Sequence, residues 1–203
     1  RQRQMCIRDR LTRNAASWGV DFEKAERDGL LHIICRYPEV MGLEDHLLQI
    51  KRDMRDFKPQ RVAIDSMSAF ERVSTPKSFR EFVIALTSTI KHLEITGLFT
   101  NTTSMLAGGE SITETHISTI TDTIVLLRYV ELQGQMRRGL TVLKMRGTAH
   151  DKNIREYTID DTGMHVLSPF RGVHGILSGT PTYTFDEERA RLDGMFGTAV
   201  PSI

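Results

Sequence analysis

Three short apolar runs without polar alternation, at residues 31–36, 61–65 and 97–101, limit the fold more than anything else in the chain. A strand with one wet face alternates apolar and polar residues. One that is apolar at successive positions is buried on both faces, as parallel strands covered by helices are. The intervening sequence supplies such covers. Between Gly42 and Phe57, Leu43, Leu47, Ile50, Met54 and Phe57 recur every three or four positions, opposite Glu44, Asp45, Lys51, Arg52 and Asp53. That spacing predicts an amphipathic helix, ended by Lys58-Pro59. Thr75-Pro76 then reads as an N-cap followed by a proline in the first turn. Phe79, Phe82, Val83, Leu86, Ile90 and Leu93 form the stripe of a second helix running to about Glu94. The order strand, helix, strand, helix, strand predicts an α/β fold, a mostly parallel sheet flanked by helices with right-handed crossovers.

Beyond residue 122 the rhythm changes. Residues 123–130 and 140–145 read as strands around a turn containing Gly134, and residues 154–159 as a third, so antiparallel hairpins are expected to finish the sheet. From Phe170 onward glycine and proline are frequent and helical periodicity is absent, which predicts an extended loop and mobile tail. At the other end, residues 11–19 and 22–28 fit short helices, the second closed by Gly29. Residues 1–10 include Met5-Cys6-Ile7-Arg8-Asp9-Arg10, which is similar to the translated read-through of a sequencing-library adaptor, and are set aside as a non-native extension. The expected organisation is therefore 1–10 extension, 11–170 α/β domain and 171–203 tail.

Lysine and arginine total 27 against 26 aspartates and glutamates, a net charge of +1 over 203 residues. No bulk electrostatic pull toward nucleic acid, a membrane surface or an acidic substrate follows. No apolar run approaches the ~20 residues of a membrane span, and no charged-then-apolar leader is present, so a soluble, cytoplasmic protein is expected. Only Cys6 and Cys35 occur. That excludes a disulfide framework, and Cys35 within an apolar run reads as a buried thiol. His116 and His150 have no companion at metal-ligand spacing and read as structural.

Four places could carry chemistry. Residues 111–122 bear six hydroxyls among twelve residues, too polar for a core strand and too β-branched for a good helix. They form either a threonine-rich loop bonded to its own backbone or a place where hydroxyls react. Asp65-Ser66 ends an apolar strand, and ligands of open α/β sheets bind outside the carboxyl ends of the strands. A carboxylate there can hold Mg²⁺ through its water shell, or merely cap the next turn. Lys144 and Arg146, two apart at a strand end, could neutralise a transferring phosphoryl group or be solvated charges. Trp18, the sole tryptophan, could cover an adenine or anchor a core. No Gly-x-x-x-x-Gly-Lys-Ser/Thr phosphate loop occurs in the sequence.

Taken together, Ala16-Ser17-Trp18-Gly19, Phe57-Lys58-Pro59, Ile64-Asp65-Ser66, the segments 38–45, 95–101 and 116–123, and Lys144-Met145-Arg146-Gly147 resemble the second ATPase half of the KaiC family. These are circadian-clock ATPases of the RecA-like superfamily, and the resemblance runs from about Leu11 to Thr182. It implies a RecA-like P-loop NTPase domain whose phosphate loop and paired glutamates lie upstream of Leu11, a homohexameric ring, ATP with Mg²⁺ at subunit interfaces, and autokinase, autophosphatase and ATPase activity. Carried over, it makes Ser118 and Thr119 the phosphoacceptors and Thr113 a nearby regulatory hydroxyl. Asp65 becomes the metal-side carboxylate with Ser66 beside it, Trp18 lies near the nucleotide, and Lys144 and Arg146 reach the γ-phosphate. KaiA- and KaiB-type clock proteins are the implied partners. Glu114 stands where the family has an aspartate, and after Thr182 the resemblance fades. A catalytically incomplete ring or binding module is the competing expectation. RecA-like DNA strand exchange is disfavoured for want of a basic stripe or aromatic-basic loop.

Overall fold

The computed structural model describes residues 7–102, 119–176 and 182–183. Its first helix, α1 (Ile7–Ser17), starts four residues before the expected position and takes in part of the segment set aside as an extension. A second, α2 (Phe22–Arg27), lies where expected. Asp21 caps it by accepting the Lys24 N–H at 2.8 Å, and Gly29 follows its end at φ +69°, a conformation that suits glycine.

Residues 31–36 correct the reading of the sequence. They join no sheet among the described residues, and Cys35 is exposed rather than buried. An apolar β-forming run becomes a strand only where another backbone runs beside it, and here two of its N–H groups go to local acceptors instead. The Leu31 N–H donates to the Ala25 carbonyl at 3.2 Å, and the Ile33 N–H to the Glu26 carboxylate at 3.3 Å.

After a single 3₁₀ turn at Pro38–Val40 comes α3 (Leu43–Phe57). Lys58 ends it in the left-handed region at φ 52°, its N–H donating to the Met54 carbonyl. The next elements are β1 (Arg61–Ile64), α4 (Met67–Arg72) and α5 (Pro76–His92). The helix α4 is short and was not legible in the sequence. The Thr75 hydroxyl accepts the Ser78 N–H at 3.2 Å, so the N-cap at the start of α5 is as the sequence implies. Then β2 (Thr96–Phe99) pairs parallel with β1, Arg61 opposite Thr96 and Ile64 opposite Phe99.

The stripe of α5 organises the packing of this half. Phe79, Phe82, Val83, Leu86 and Ile90 are buried against Leu43 and Met54 of α3 and Met67 and Phe70 of α4, and Ile120 packs on the same cluster. His46 is fully buried among them. Its Nε2 lies 3.3 Å from the Pro38 carbonyl, and its ring meets Phe70 edge-on at 5.2 Å between centroids. The chain divides after Thr121 into two units, Arg1–Thr121 and Asp122–Ile203.

In the second unit β3 (Thr123–Leu132) and β4 (Gln135–Met145) form a long antiparallel hairpin. Its turn places Gln133 at φ 53° and Gly134 at φ 71°, the double left-handed geometry that two-residue hairpin loops require. Two more antiparallel strands, β5 (Arg155–Asp160) and β6 (Gly163–Pro169), extend the sheet in the order β3-β4-β5-β6. Strand β6 has no counterpart in the sequence reading. Val130, Leu132 and Ile176 form the buried cluster of this second unit, with Ile154, Phe170 and Val173 alongside. Within the expected tail, β7 (Val173–His174) pairs with β8 (Thr182–Tyr183). The fold is thus α/β, a parallel pair with helices and a separate antiparallel sheet.

Two measurable consequences follow. Leu86 has no exposed surface whereas Ile84, one half-turn away on α5, is 40% exposed. Leu86→Ala should lower stability by about 2–5 kcal/mol in urea unfolding, and Ile84→Ala by less than about 1 kcal/mol. In the β5–β6 turn the Thr162 hydroxyl, then its backbone N–H, then His165 hold the Asp160 carboxyl below its ordinary range. Because the folded state binds this proton less readily than the unfolded chain, the turn's contribution is present above the ordinary carboxylate value of about 3.9 and is lost as pH falls through the lowered one. Carboxyl titration by NMR should find the Asp160 midpoint below that ordinary value, and Thr162→Ala should raise it.

Candidate functional site at the carboxyl ends of the parallel strands

The backbone beyond β1 and β2 continues the ladder. The Thr100 N–H donates to the Ile64 carbonyl at 3.1 Å, and the Thr100 carbonyl accepts the Met67 N–H at 2.9 Å. These bonds bring together two strand ends that the sequence separates by 35 residues. Asp65 and Ser66 leave one end through a cis peptide bond, and Thr100, Asn101 and Thr102 leave the other.

Side chains then bridge the two ends. The Thr100 hydroxyl donates to Asp65 Oδ1 at 2.5 Å. Ser68, in the first turn of α4 and 5% exposed, accepts the Thr102 N–H at 2.7 Å and the Thr102 hydroxyl at 2.8 Å. Its own hydroxyl donates to Asn101 Oδ1 at 2.5 Å. The Asp65 carboxylate is exposed. One of its oxygens takes the Thr100 proton, and the remaining acceptor sites suit a hydrated Mg²⁺, which binds through one or two carboxylates and otherwise through water and phosphate. Among the described residues no three His, Cys, Asp or Glu side chains converge as a metal cage. A lone strand-end carboxylate therefore fits a nucleotide-borne cation better than a structural metal.

The other sequence-predicted residues are placed as follows. Thr119 is exposed and has helical backbone, while the next residue, Ile120, is anchored in the core of the first unit. Ser118 and Thr113 lie outside the described residues. Trp18 follows α1 with 47% of its surface exposed, so it is not a core anchor. In the second unit, Lys144 sits in β4 opposite Ile124. Arg146 lies just past the strand, its N–H on the Asp122 carbonyl at 2.8 Å and its Nη1 3.3 Å from the Asp122 carboxylate. Both partners of that ion pair are more than half exposed, so it contributes little to stability.

Ser68, Thr100, Asn101 and Thr102 were not singled out from the sequence. The available signal was that the run 97–99 ends in a hydroxyl and an amide, just as 61–64 ends in a carboxylate and a hydroxyl. Two strands that both turn polar at their carboxyl ends mark one shared edge.

Comparison with known proteins gives the chain a family. Residues 7–170 match the family described as ATPase: KaiC. The chain is 62% identical over 189 residues to the circadian clock protein KaiC3 of Synechocystis sp., covering 93% of this chain and 37% of that protein. It is 57% identical to the circadian clock oscillator protein KaiC of Thermostichus vulcanus, covering 91% and 36%. Against KaiC 1 of Synechocystis sp. the identity is 52%, covering 95% and 38%. The chain spans a little over a third of the length of these relatives. A family match over residues 7–170 and identities above 50% along most of the sequence lead to one conclusion: the chain belongs to the KaiC family.

Proposed function

We propose that the full-length gene product carrying this chain is an ATP-dependent serine/threonine autokinase, autophosphatase and ATPase that phosphorylates the adjacent Ser118 and Thr119. The observation that supports this most is the polar edge beyond β1 and β2, where an exposed carboxylate is fixed by Thr100 in a chain of an ATPase family. ATP with Mg²⁺ supplies the electrophilic phosphoryl group and part of the charge that screens it. Asp65, with Ser66 beside it, holds the cation's water shell, and the Thr100 hydroxyl keeps that carboxylate in one orientation. Lys144 and Arg146 take up charge on the phosphoryl oxygens of a nucleotide bound by an adjoining subunit of a homohexameric ring. Trp18 covers the base. Thr119 is presented by the anchored Ile120, Ser118 precedes it, and Thr113 is a regulatory neighbour.

The phosphate loop and the glutamate base belong, in this reading, to residues outside the present sequence, which contains no such loop. That absence favours a second, narrower reading for the chain by itself, an assembling module of residues 11–170 with tail 171–203 and no ATPase of its own. The relatives' names carry a circadian role, and KaiA- and KaiB-type proteins are the corresponding proposed partners.

The decisive test is phosphate incorporation from radiolabelled ATP into the full-length gene product. The double variant Ser118→Ala with Thr119→Ala should incorporate none, and each single variant should retain label at the other position. Undiminished label in the double variant overturns the assignment.

A further inference from the structure

Three successive residues beyond β2 are tied to the first turn of α4. The Thr100 carbonyl accepts the Met67 N–H at 2.9 Å. The Ser68 hydroxyl takes both the N–H and the hydroxyl of Thr102 and donates to Asn101 Oδ1. These bonds use the proton and both lone pairs of the serine oxygen, its full capacity. Met67 and Ser68 are 3% and 5% exposed, so this turn is seated in the core, whereas residues 100–102 are exposed.

At exposed positions the Thr102 N–H and the Asn101 carbonyl turn to water when a protein partner is withdrawn, so the serine adds little to stability. What it supplies is direction. Threonine is β-branched and stiff at χ1, so the place of Thr100 Oγ1 follows from the backbone around it. That hydroxyl gives its single proton to Asp65 Oδ1 at 2.5 Å. With Ser68 in place, the donor that orients Asp65 stands on a chain fastened at residues 100, 101 and 102; without it, the fastening ends at Thr100. A carboxylate that receives a cation gains from such support, because freedom already removed is not lost again on binding.

We propose that Ser68 is a positioning residue for a divalent cation held at Asp65, acting through residues 101 and 102 and the Thr100 hydroxyl and touching neither cation nor nucleotide. The inference rests on reading the β1–β2 edge as the cation side of a nucleotide site, and it adds a buried residue that tunes the cation's affinity. Its test is Mn²⁺ binding to the full-length gene product saturated with a non-hydrolysable ATP analogue, followed by electron paramagnetic resonance. Mn²⁺ suits the same oxygen ligands as Mg²⁺, and its signal reports the bound ion itself. Binding of the analogue in EDTA is measured alongside by calorimetry. Ser68→Ala should weaken Mn²⁺ by about fivefold to tenfold and the metal-free analogue by less than about twofold. Thr100→Val, at an exposed position, removes the last hydroxyl of the relay and should weaken Mn²⁺ at least as much, while Thr100→Ser keeps that hydroxyl and should bind as the wild type does. Ser68→Cys, close in size and a weak donor, serves in place of Ser68→Ala should the latter not fold, and should fall between the wild type and Thr100→Val. Wild-type Mn²⁺ affinity in a folded Ser68 variant overturns the proposal, and so does a loss matched by the metal-free analogue, which marks general loosening. Asp65→Asn tests the reading underneath. Unchanged Mn²⁺ binding in that variant overturns the reading of the edge and the inference with it, whereas binding lost in Asp65→Asn but kept in the Ser68 variants overturns the inference alone.

Discussion

The stitch between the ends of β1 and β2 is the constraint on which the candidate site depends. The amide and carbonyl of Thr100 are bonded to Ile64 and to Met67. Backbone groups at a strand end must find partners or lose a hydrogen bond's worth of free energy, and here both go to the neighbouring strand and the helix after it. Fixing Thr100 fixes Asn101 and Thr102 after it, and fixing Met67 fixes Ser68. The side-chain bridges among Asp65, Ser68, Thr100, Asn101 and Thr102 join positions already brought close, so each orders few new dihedral angles.

Hydrogen bonds alone would not hold that edge, since each contributes only about 1 kcal/mol net. The strength comes from underneath. Met67, beside Ser68 on α4, is buried in the same cluster as Phe79, Phe82 and Leu86 of α5, and Ile64 and Phe99, the last residues of β1 and β2, pack against that cluster. Apolar burial of side chains this size stabilises by about 1.5–3 kcal/mol each. The core therefore fixes the strand ends, and the polar side chains add orientation rather than affinity between the strands.

What the sequence revealed followed from how local each feature is. The stripes of α3 and α5 repeat within one helix, so their periodicity shows in the residues themselves, and Thr75-Pro76 announces its own cap. Residues 31–36 have the composition of a strand, but strand formation depends on a neighbour that composition does not specify, and they stay outside any described sheet. The strand β6 was hidden for the opposite reason: most of its residues are exposed, so burial leaves little mark on its sequence. Asp65 was legible because a carboxylate after an apolar run is a local pattern. The significance of Ser68 and Asn101 lies in a bond between residues 33 positions apart, which no local pattern encodes.

The same logic separates the two cations of the second unit from the carboxylate of the first. Asp65 is oriented by a hydroxyl, a neutral partner that leaves its charge available to a cation. Arg146 is oriented by Asp122, an opposite charge, through an exposed ion pair worth at most about 1 kcal/mol. A phosphoryl group offers several anionic oxygens in place of one carboxylate, and a guanidinium binds such oxygens in a bidentate manner. The local ion pair limits the arginine's freedom while leaving more than half of both side chains exposed to solvent.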